Sequence, residues 1–282
     1  MLKVLRLGLY SSIQDLGRKG CQQYGVPVSG VMDRQSAALA NALLGNDEND
    51  AVIEVTMMGP KLQFFKSTII CISGADLSPE IDGKSINLNA AVVVNEGDVL
   101  SFGRLQYGMR CYLAIQHGFQ SEIVMGSRSM YQGITASQVL AQGQELHYKD
   151  SEVNLTAKHV VVNPVSNLFK EKQLKVYKGP EFDGLNNVQI KGLLDCDFTI
   201  SKDHSRMGYR LQEPLCHNLN AIITSAVMPG TVQLTPSGQL IVLMRDAQTT
   251  GGYPRVLQLS AEAINVLSQK NTGQSVSFKL VQ

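Results

Sequence analysis

The chain has 282 residues, enough for two modest domains or one large one, with a substantial core. Its 44% hydrophobic and 17% charged residues describe an ordinary globular protein, and a formal net charge of +1 without a Lys/Arg cluster excludes nucleic acid as the principal partner. No apolar run approaches the roughly 20 residues needed to span a bilayer, so no membrane role is expected.

The five cysteines, Cys21, Cys71, Cys111, Cys196 and Cys216, are odd in number, widely spaced and form no CxxC pair. They read as reduced, mostly buried thiols of a cytosol. The N-terminal stretch MLKVLRLGLYSSIQD lacks a long apolar core and a small-residue cleavage site. It predicts no signal peptide and a cytoplasmic location.

Residues 2–7 predict a first strand. Gln14, Asp15 and Arg18 then crowd polar groups around Gly17 and Gly20, where the backbone must be tight and irregular. Asp15 and Arg18 form either a surface pair worth ~0–1 kcal/mol or a ligand-facing group. Asp33 is placed to cap a helix, with Met32 and Ala37 as a hydrophobic staple. Ala37, Ala40, Leu43 and Leu44 supply its apolar face, Gly45 ends it, and the small alanines predict close packing on a sheet.

From residue 51 to about 148 the pattern is almost all strand. Ala51–Val55, Lys61–Phe65, Thr68–Ser73, Ala91–Val94, Val99–Phe102 and Arg110–Gln116 lie between turn signals. Asp82-Gly83 is a two-residue hairpin signal. Such spacing predicts a barrel or sandwich rather than alternating strands and helices. Within this run Gly126-Ser127-Arg128-Ser129-Met130-Tyr131 gathers hydroxyls, a guanidinium and a phenol. The group suits a carboxylate or phosphate, or Arg128 staples a loop to backbone carbonyls.

A domain junction is expected near residues 149–173, dividing the chain into 1–160 and 161–282, with a short strand at His159–Asn163. Leu174–Tyr177 predicts a strand and Phe182–Leu194 a short helix. Arg206, Tyr209 and Arg210, around Gly208, make a second anion-competent surface. Asp203, His204 and Ser205 are sequence neighbours and so poorly placed for a catalytic triad. The pattern Ser-Arg-x-x-Tyr recurs at Ser127–Tyr131 and Ser205–Tyr209, as two lobes of like fold would produce.

Thr231–Leu234, the turn Pro236-Ser237-Gly238 and Gln239–Met244 predict a hairpin. The polar stretch Arg245–Arg255 follows, either a plain loop or a place where the scaffold presents chemistry. A helix capped by Ser260 and a closing strand at Ser275–Val281 complete the chain. The sequence holds no Walker-type phosphate loop, no HExxH or paired Cys/His spacing, no GxSxG elbow and no Met-Lys-Met carrier motif. No metal motif is therefore expected.

Four segments carry a family resemblance: Gln14–Arg18 with Gly25–Asp33, Gly126–Ser129, Arg206–Leu211 and Asp246–Pro254. In this order they resemble the biotin-dependent carboxyltransferase-like family. That family holds the C-type subunit of 5-oxoprolinase, the KipI-antagonist (KipA) proteins, the so-called allophanate hydrolase subunit 2 and part of the carboxyltransferase region of urea carboxylase. The resemblance implies a mainly β fold of two cyclophilin-like β-barrel lobes with a few short helices. It also implies a complex with a KipI-like sister subunit (the B-type subunit of 5-oxoprolinase) and a separate, A-type hydrolase subunit. Such a complex opens the lactam 5-oxoproline to L-glutamate with ATP, whose site is not identifiable in this chain.

On that reading a poorly electrophilic lactam is activated at its oxygen, and the developing charge needs fixed donors. Arg128, Arg206 and Arg210 are the expected anion clamps, and Asp15 and Asp246 orient them or shuttle a proton. Gln233, Gln248, Thr249, Thr250 and Tyr253 would hydrogen-bond an amide, with Arg18, Ser127 and Tyr209 as further substrate contacts. Two other roles stand beside this one: a regulatory binding module that sequesters a KipI-type partner, or carboxyl transfer from biotin on a separate carrier. His117 stands where the family commonly has glycine, and His204 where it commonly has serine.

Overall fold

A computed structural model describes residues 1–149 and 169–281. The 160/161 boundary and the strand expected at His159–Asn163 lie outside the described residues. The described chain forms two compact units. The first takes Met1–Arg18 and the stretch from Ser29 onward to residue 149; the second takes Lys19–Val28 and the stretch from residue 169.

The first unit contains strands β1 (Leu2–Arg6), β2 (Tyr10–Gln14), β3 (Val52–Thr56), β4 (Lys61–Phe64), β5 (Thr68–Asp76), β6 (Pro79–Ile81), β7 (Lys84–Ser85), β8 (Val92–Val94), β9 (Val99–Phe102), β10 (Tyr107–Ile115) and β11 (Glu145–Leu146). They divide into a six-stranded sheet, β11-β1-β4-β9-β6-β7, and a five-stranded sheet, β2-β3-β10-β5-β8. Helix α1 (Arg34–Leu43) packs on the second.

With a core on each face, the central strands of that sheet are buried at nearly every position. Ile53, Val55, Ile70, Ile72, Cys111 and Leu113 point into the main core with Leu62, Phe64 and Leu100 of the other sheet. Val52, Cys71, Tyr112 and Ala114 point the opposite way, onto Ala37 and Ala40 of α1. The two alanines thus have the sheet contact expected of them. The cap is also in place, with the Asp33 carboxylate accepting from Ser36 N and Ser36 Oγ. Asp82 and Gly83 both have positive φ, 49° and 76°, as a primed two-residue turn between Ile81 and Lys84 requires.

The second unit contains β12 (Gln173–Lys178), α2 (Asn187–Leu194), β13 (Asp197–His204), β14 (Gly208–Leu211), β15 (Ser225–Ala226), β16 (Thr231–Leu234), β17 (Leu240–Leu243), β18 (Thr250–Gly251), β19 (Arg255–Leu259), α3 (Ala261–Ser268) and β20 (Ser275–Leu280). Seven of these strands close a barrel in the order β12-β19-β16-β17-β14-β13-β20. The seam between β12 and β20 is parallel, and the other pairings in the barrel are antiparallel. Ser260 caps α3 by accepting from Ala263 N, as expected. Asn186 and Gln189 form a reciprocal capping box at α2.

Strands make up 37% and helices 13% of the structure, which places it in the mainly β class. The barrel closes in the second unit, while the first distributes its strands over two sheets. The end of β13 and the whole of β14 occupy the stretch around Arg206, Tyr209 and Arg210 that the sequence presented as an anion-competent surface. Their alternation is plain once burial is known: Phe198 and Ile200, then Tyr209 and Leu211, face inward between exposed or half-buried neighbours.

Candidate functional site

In the first unit the polar residues singled out around Asp15 and Ser127 do meet. Asp15 is 4% exposed, and its Oδ1 accepts from Gly17 N (2.8 Å), Ser127 Oγ (2.6 Å) and Ser129 Oγ (2.7 Å). Its Oδ2 accepts from Arg128 N at 2.6 Å. The carboxylate is thereby surrounded by donors and fastens the Gly126–Met130 loop to the end of β2. Arg18 is fully buried and donates to Ser129 O. The Arg128 guanidinium donates to Ser121 O and to Gln120 Oε1, so it staples a loop to a backbone carbonyl. A small cleft of about 250 Å³ beside them is lined by Asp15, Ser127 and Arg128 together with Asp47, Asn49 and Asp50.

The second unit holds a larger cleft, of about 680 Å³. That volume is within the roughly 300–1,000 Å³ typical of small-molecule sites. Its floor is set by strand register. Gln233 on β16 pairs with Ile241 on β17, and Ile241 pairs with Arg210 on β14. The three side chains form one row on the outer face of the barrel wall, and their flanking residues Val232, Leu234, Tyr209 and Leu211 fill the interior. Gly208 and Leu243, paired two residues along and so on the same face, extend the floor. The β13–β14 turn supplies Asp203, His204, Ser205 and Met207, and the loop after β17 supplies Gln248 and Tyr253.

That loop is held over the wall by four sets of contacts. Arg206 grips Asp246 with a two-pronged fork, Nε to Oδ2 at 2.7 Å and Nη2 to Oδ1 at 3.1 Å, and Asp246 N donates to Arg206 O at 2.9 Å. Ala247, Val227, Leu243 and Ile241 pack as an apolar cluster. Ser225 and Ala226 pair with Gly251 and Thr250. Arg255, beneath this short sheet, donates to both carboxylate oxygens of Glu181 (2.9 and 2.7 Å) and to Ser225 Oγ (2.6 Å). The Arg255 hydrogen bonds hold the Glu181 carboxyl below its ordinary value.

Two polar groups of the cleft lining have no hydrogen-bond partner at their donor nitrogens among the described residues. Gln233 is 1% exposed, and its Nε2 has no hydrogen-bond partner among the described residues. Gly251 approaches it so closely that a Cβ there would lie 2.4 Å from that nitrogen. Arg210 is exposed, and its guanidinium has no hydrogen bond or ion pair among the described residues. A buried amide without a partner costs about 1–3 kcal/mol.

The structure therefore sorts the residues read from sequence. Arg210, Gln233, Gln248 and Tyr253 line one cleft; Arg206 and Asp246 do not line it but fix the elements that do. Tyr209 is fully buried inside the barrel, packed against His204 with ring centroids 4.9 Å apart and planes tilted by 31°. Thr249 and Thr250 serve backbone pairing with Val227 and Ala226 rather than the cleft lining. Sequence reasoning passed over Glu181 with Arg255, and the buried Glu54–Arg110 pair at 3.8 Å in the first unit. No local signal marks these, since each joins residues more than 50 positions apart. His117 has φ +65°, a left-handed conformation that glycine adopts without strain.

Residues 24–280 match the family model described as carboxyltransferase domain, subdomain A and B. The chain belongs to this carboxyltransferase-domain family. It is 31% identical to the C-type subunit of 5-oxoprolinase from Escherichia coli over 99% of the chain and 90% of that protein. It is 29% identical to the corresponding 5-oxoprolinase subunit of Haemophilus influenzae, over 100% of the chain and 91% of that protein. Its fold matches the K. lactis urea amidolyase with a TM-score of 0.88 at 24% identity, covering 100% of the chain and 19% of that much longer protein. No helix among the described residues is long and apolar enough to cross a membrane.

Proposed function

We propose that this carboxyltransferase-domain chain is the C-type subunit of an ATP-dependent 5-oxoprolinase complex that opens 5-oxoproline to L-glutamate. The near full-length similarity to the C-type 5-oxoprolinase subunit of E. coli, 31% identical with 90% of that protein covered, is the observation that carries this reading. The partners are then a KipI-like B-type subunit and a separate A-type hydrolase subunit. The cleft on the barrel wall is the part of the chain that faces the substrate. Arg206 and Asp246 hold it in shape, and Tyr253 and Gln248 lie on the loop above the floor.

ATP, when bound by the complex, supplies activation of the lactam oxygen. The cleft does not fit a triphosphate: its one guanidinium, Arg210, shares the lining with the Asp203 carboxylate. No Walker-type loop of backbone N–H groups is encoded in the chain either. Nucleotide binding is therefore assigned to the complex, with no site for it identified in this chain.

The family description favours one other reading, carboxyl transfer. There Arg210 and Gln233 would hold the carboxylated ureido ring of biotin on a separate carrier, which supplies the carboxyl group. The deciding experiment is glutamate release from 5-oxoproline and ATP by the purified complex, with this chain present and omitted. The proposal predicts release only with all subunits. Undiminished release without this chain overturns it and favours a regulatory binding module, and a requirement for bicarbonate and a biotin carrier favours carboxyl transfer.

A further inference from the structure

At one end of the first unit the link between β1 and β2 meets the link between β3 and β4, and both leave apolar side chains in solvent. Leu9 N donates to Met58 O at 2.9 Å, and Gly8 lies so close that a Cβ there would sit 2.1 Å from the same oxygen. The two links are thus held as one surface, on which Leu7, Leu9, Met57 and Met58 are each between 36 and 60% exposed. Single exposed apolar side chains are ordinary, but four on two joined links make a patch, the mark of an interaction surface. Met57 holds φ +58°, a conformation that strains any side chain with a Cβ, so the turn keeps an exposed thioether where glycine would be relaxed. Cations border the patch. Arg6 and Lys61 are opposite one another across β1 and β4, both exposed, and neither has a hydrogen bond or ion pair among the described residues. Like charges in opposite positions destabilise a sheet, and carboxylates brought by a partner would relieve the repulsion. A second copy docked through the same patch about a two-fold axis would set cations against cations. A bilayer surface is met by aromatic anchors and clusters of four or more Lys/Arg, whereas this patch has four aliphatic and thioether side chains and two bordering cations.

We infer that Leu7, Leu9, Met57 and Met58 form the apolar centre of a docking surface, rimmed by Arg6 and Lys61, for a protein partner that brings apolar side chains flanked by carboxylates. The unbranched methionines adapt to the partner's apolar face, and the two cations steer and orient it. The occupant is the KipI-like B-type subunit. That choice rests on the proposed function, while the surface itself is assigned from the first unit alone.

Calorimetric titration of the purified B-type subunit into the full chain, at low and high salt, tests it. The unaltered chain binds, and binds more weakly as salt rises. Leu9→Ser and Met58→Ser each weaken binding by at least about tenfold. The double variant Arg6→Glu, Lys61→Glu weakens it by a similar factor and removes the loss of affinity with salt. All four residues are exposed, so these variants keep the melting temperature of the unaltered chain. The inference is overturned if the B-type subunit binds every variant as it binds the unaltered chain. It is equally overturned if the substitutions abolish only self-association of the chain in sedimentation, or only its binding to phosphatidylserine vesicles. Its fate is separable from that of the proposed function. Unchanged binding by the variants, in a complex whose glutamate release needs this chain, overturns only the inference. Patch-dependent binding of the B-type subunit, beside glutamate release that does not need this chain, sustains the inference and removes the function. An unaltered chain that does not bind the B-type subunit removes both.

Discussion

Arg206 and Asp246 are joined by a two-pronged ion pair, 2.7 and 3.1 Å, with both side chains less than a tenth exposed. The pair locks the β13–β14 turn to the loop that follows β17, and both segments line the same cleft. Removing one partner leaves a buried charge alone, which costs about 3–5 kcal/mol. Arg206→Ala should therefore lower the urea midpoint of the second unit strongly, and Arg206→Lys should fall between, having lost the fork. Replacing both residues by leucine should cost less than either single change. An Arg206→Ala protein with an unaltered midpoint would show that the pair holds nothing.

Gly251 lies over the Gln233 amide. A methyl at 251 would sit 2.4 Å from Nε2, below any ordinary contact distance. Gly251→Ala should push the amide out of position, raising the KM for 5-oxoproline in the complex severalfold while the melting temperature shifts little. Steady-state kinetics beside a thermal melt would check both halves.

The Asp15 carboxylate accepts from Gly17 N, Ser127 Oγ, Ser129 Oγ and Arg128 N. Asp15→Ala strands these donors and should cost several kcal/mol, on the order of 3–5 for a buried charged hub. Hydrogen exchange should show lost protection at residues 126–130 and in β2, with the barrel of the second unit unaffected. Loss of protection spread evenly over both units would contradict a local fastening role.

Acid stability should carry the signature of Glu181. Arg255 depresses its carboxyl in the folded state, so its contribution is present above the unfolded carboxylate value of about 4.3 and is lost as pH falls through the lower folded value. The wild-type midpoint in urea should thus drop, as pH falls below about 4.3, more steeply than that of Glu181→Gln. Parallel pH curves for the two proteins would remove this assignment.

The cysteines divide by burial. Desolvation pushes the Cys71 thiol up to about 12 and that of Cys111 higher still, while Cys196 and Cys216 are exposed. Native alkylation near pH 8, read by mass spectrometry, should label Cys196 and Cys216 and spare Cys71 and Cys111. Labelling of Cys71 at the rate of Cys196 would show the first-unit core to be open.

Much of the fold was legible because local chemistry agreed with tertiary need. Asp33 and Ser260 cap helices in isolation as they do in place, and Asp82-Gly83 forces a turn whatever surrounds it. The strands at Val99–Phe102 and Thr231–Leu234 were read to the residue. β13 and β14 were missed because Ser201, Lys202, Asp203 and His204 are polar on both faces of the strand end, and that run hid the alternation of Phe198 with Ile200 and of Tyr209 with Leu211. Barrel closure was also beyond local reading, since the β12–β20 seam joins Leu174 to Phe278. The site was half legible. Arg210 and Gln233 could be picked by residue type, but their shared row follows only from cross-strand register. Arg206 and Asp246 looked alike as reactive groups, and only the fork shows that they engage each other.

The most direct test of the account measures two KM values in the assembled complex, for 5-oxoproline and for ATP, with wild-type chain and with Arg210→Ala. The account predicts that the KM for 5-oxoproline rises at least about tenfold while that for ATP stays the same, because one charge-assisted hydrogen bond to the carboxylate is lost. An unchanged KM for 5-oxoproline, or a change confined to ATP, would contradict it.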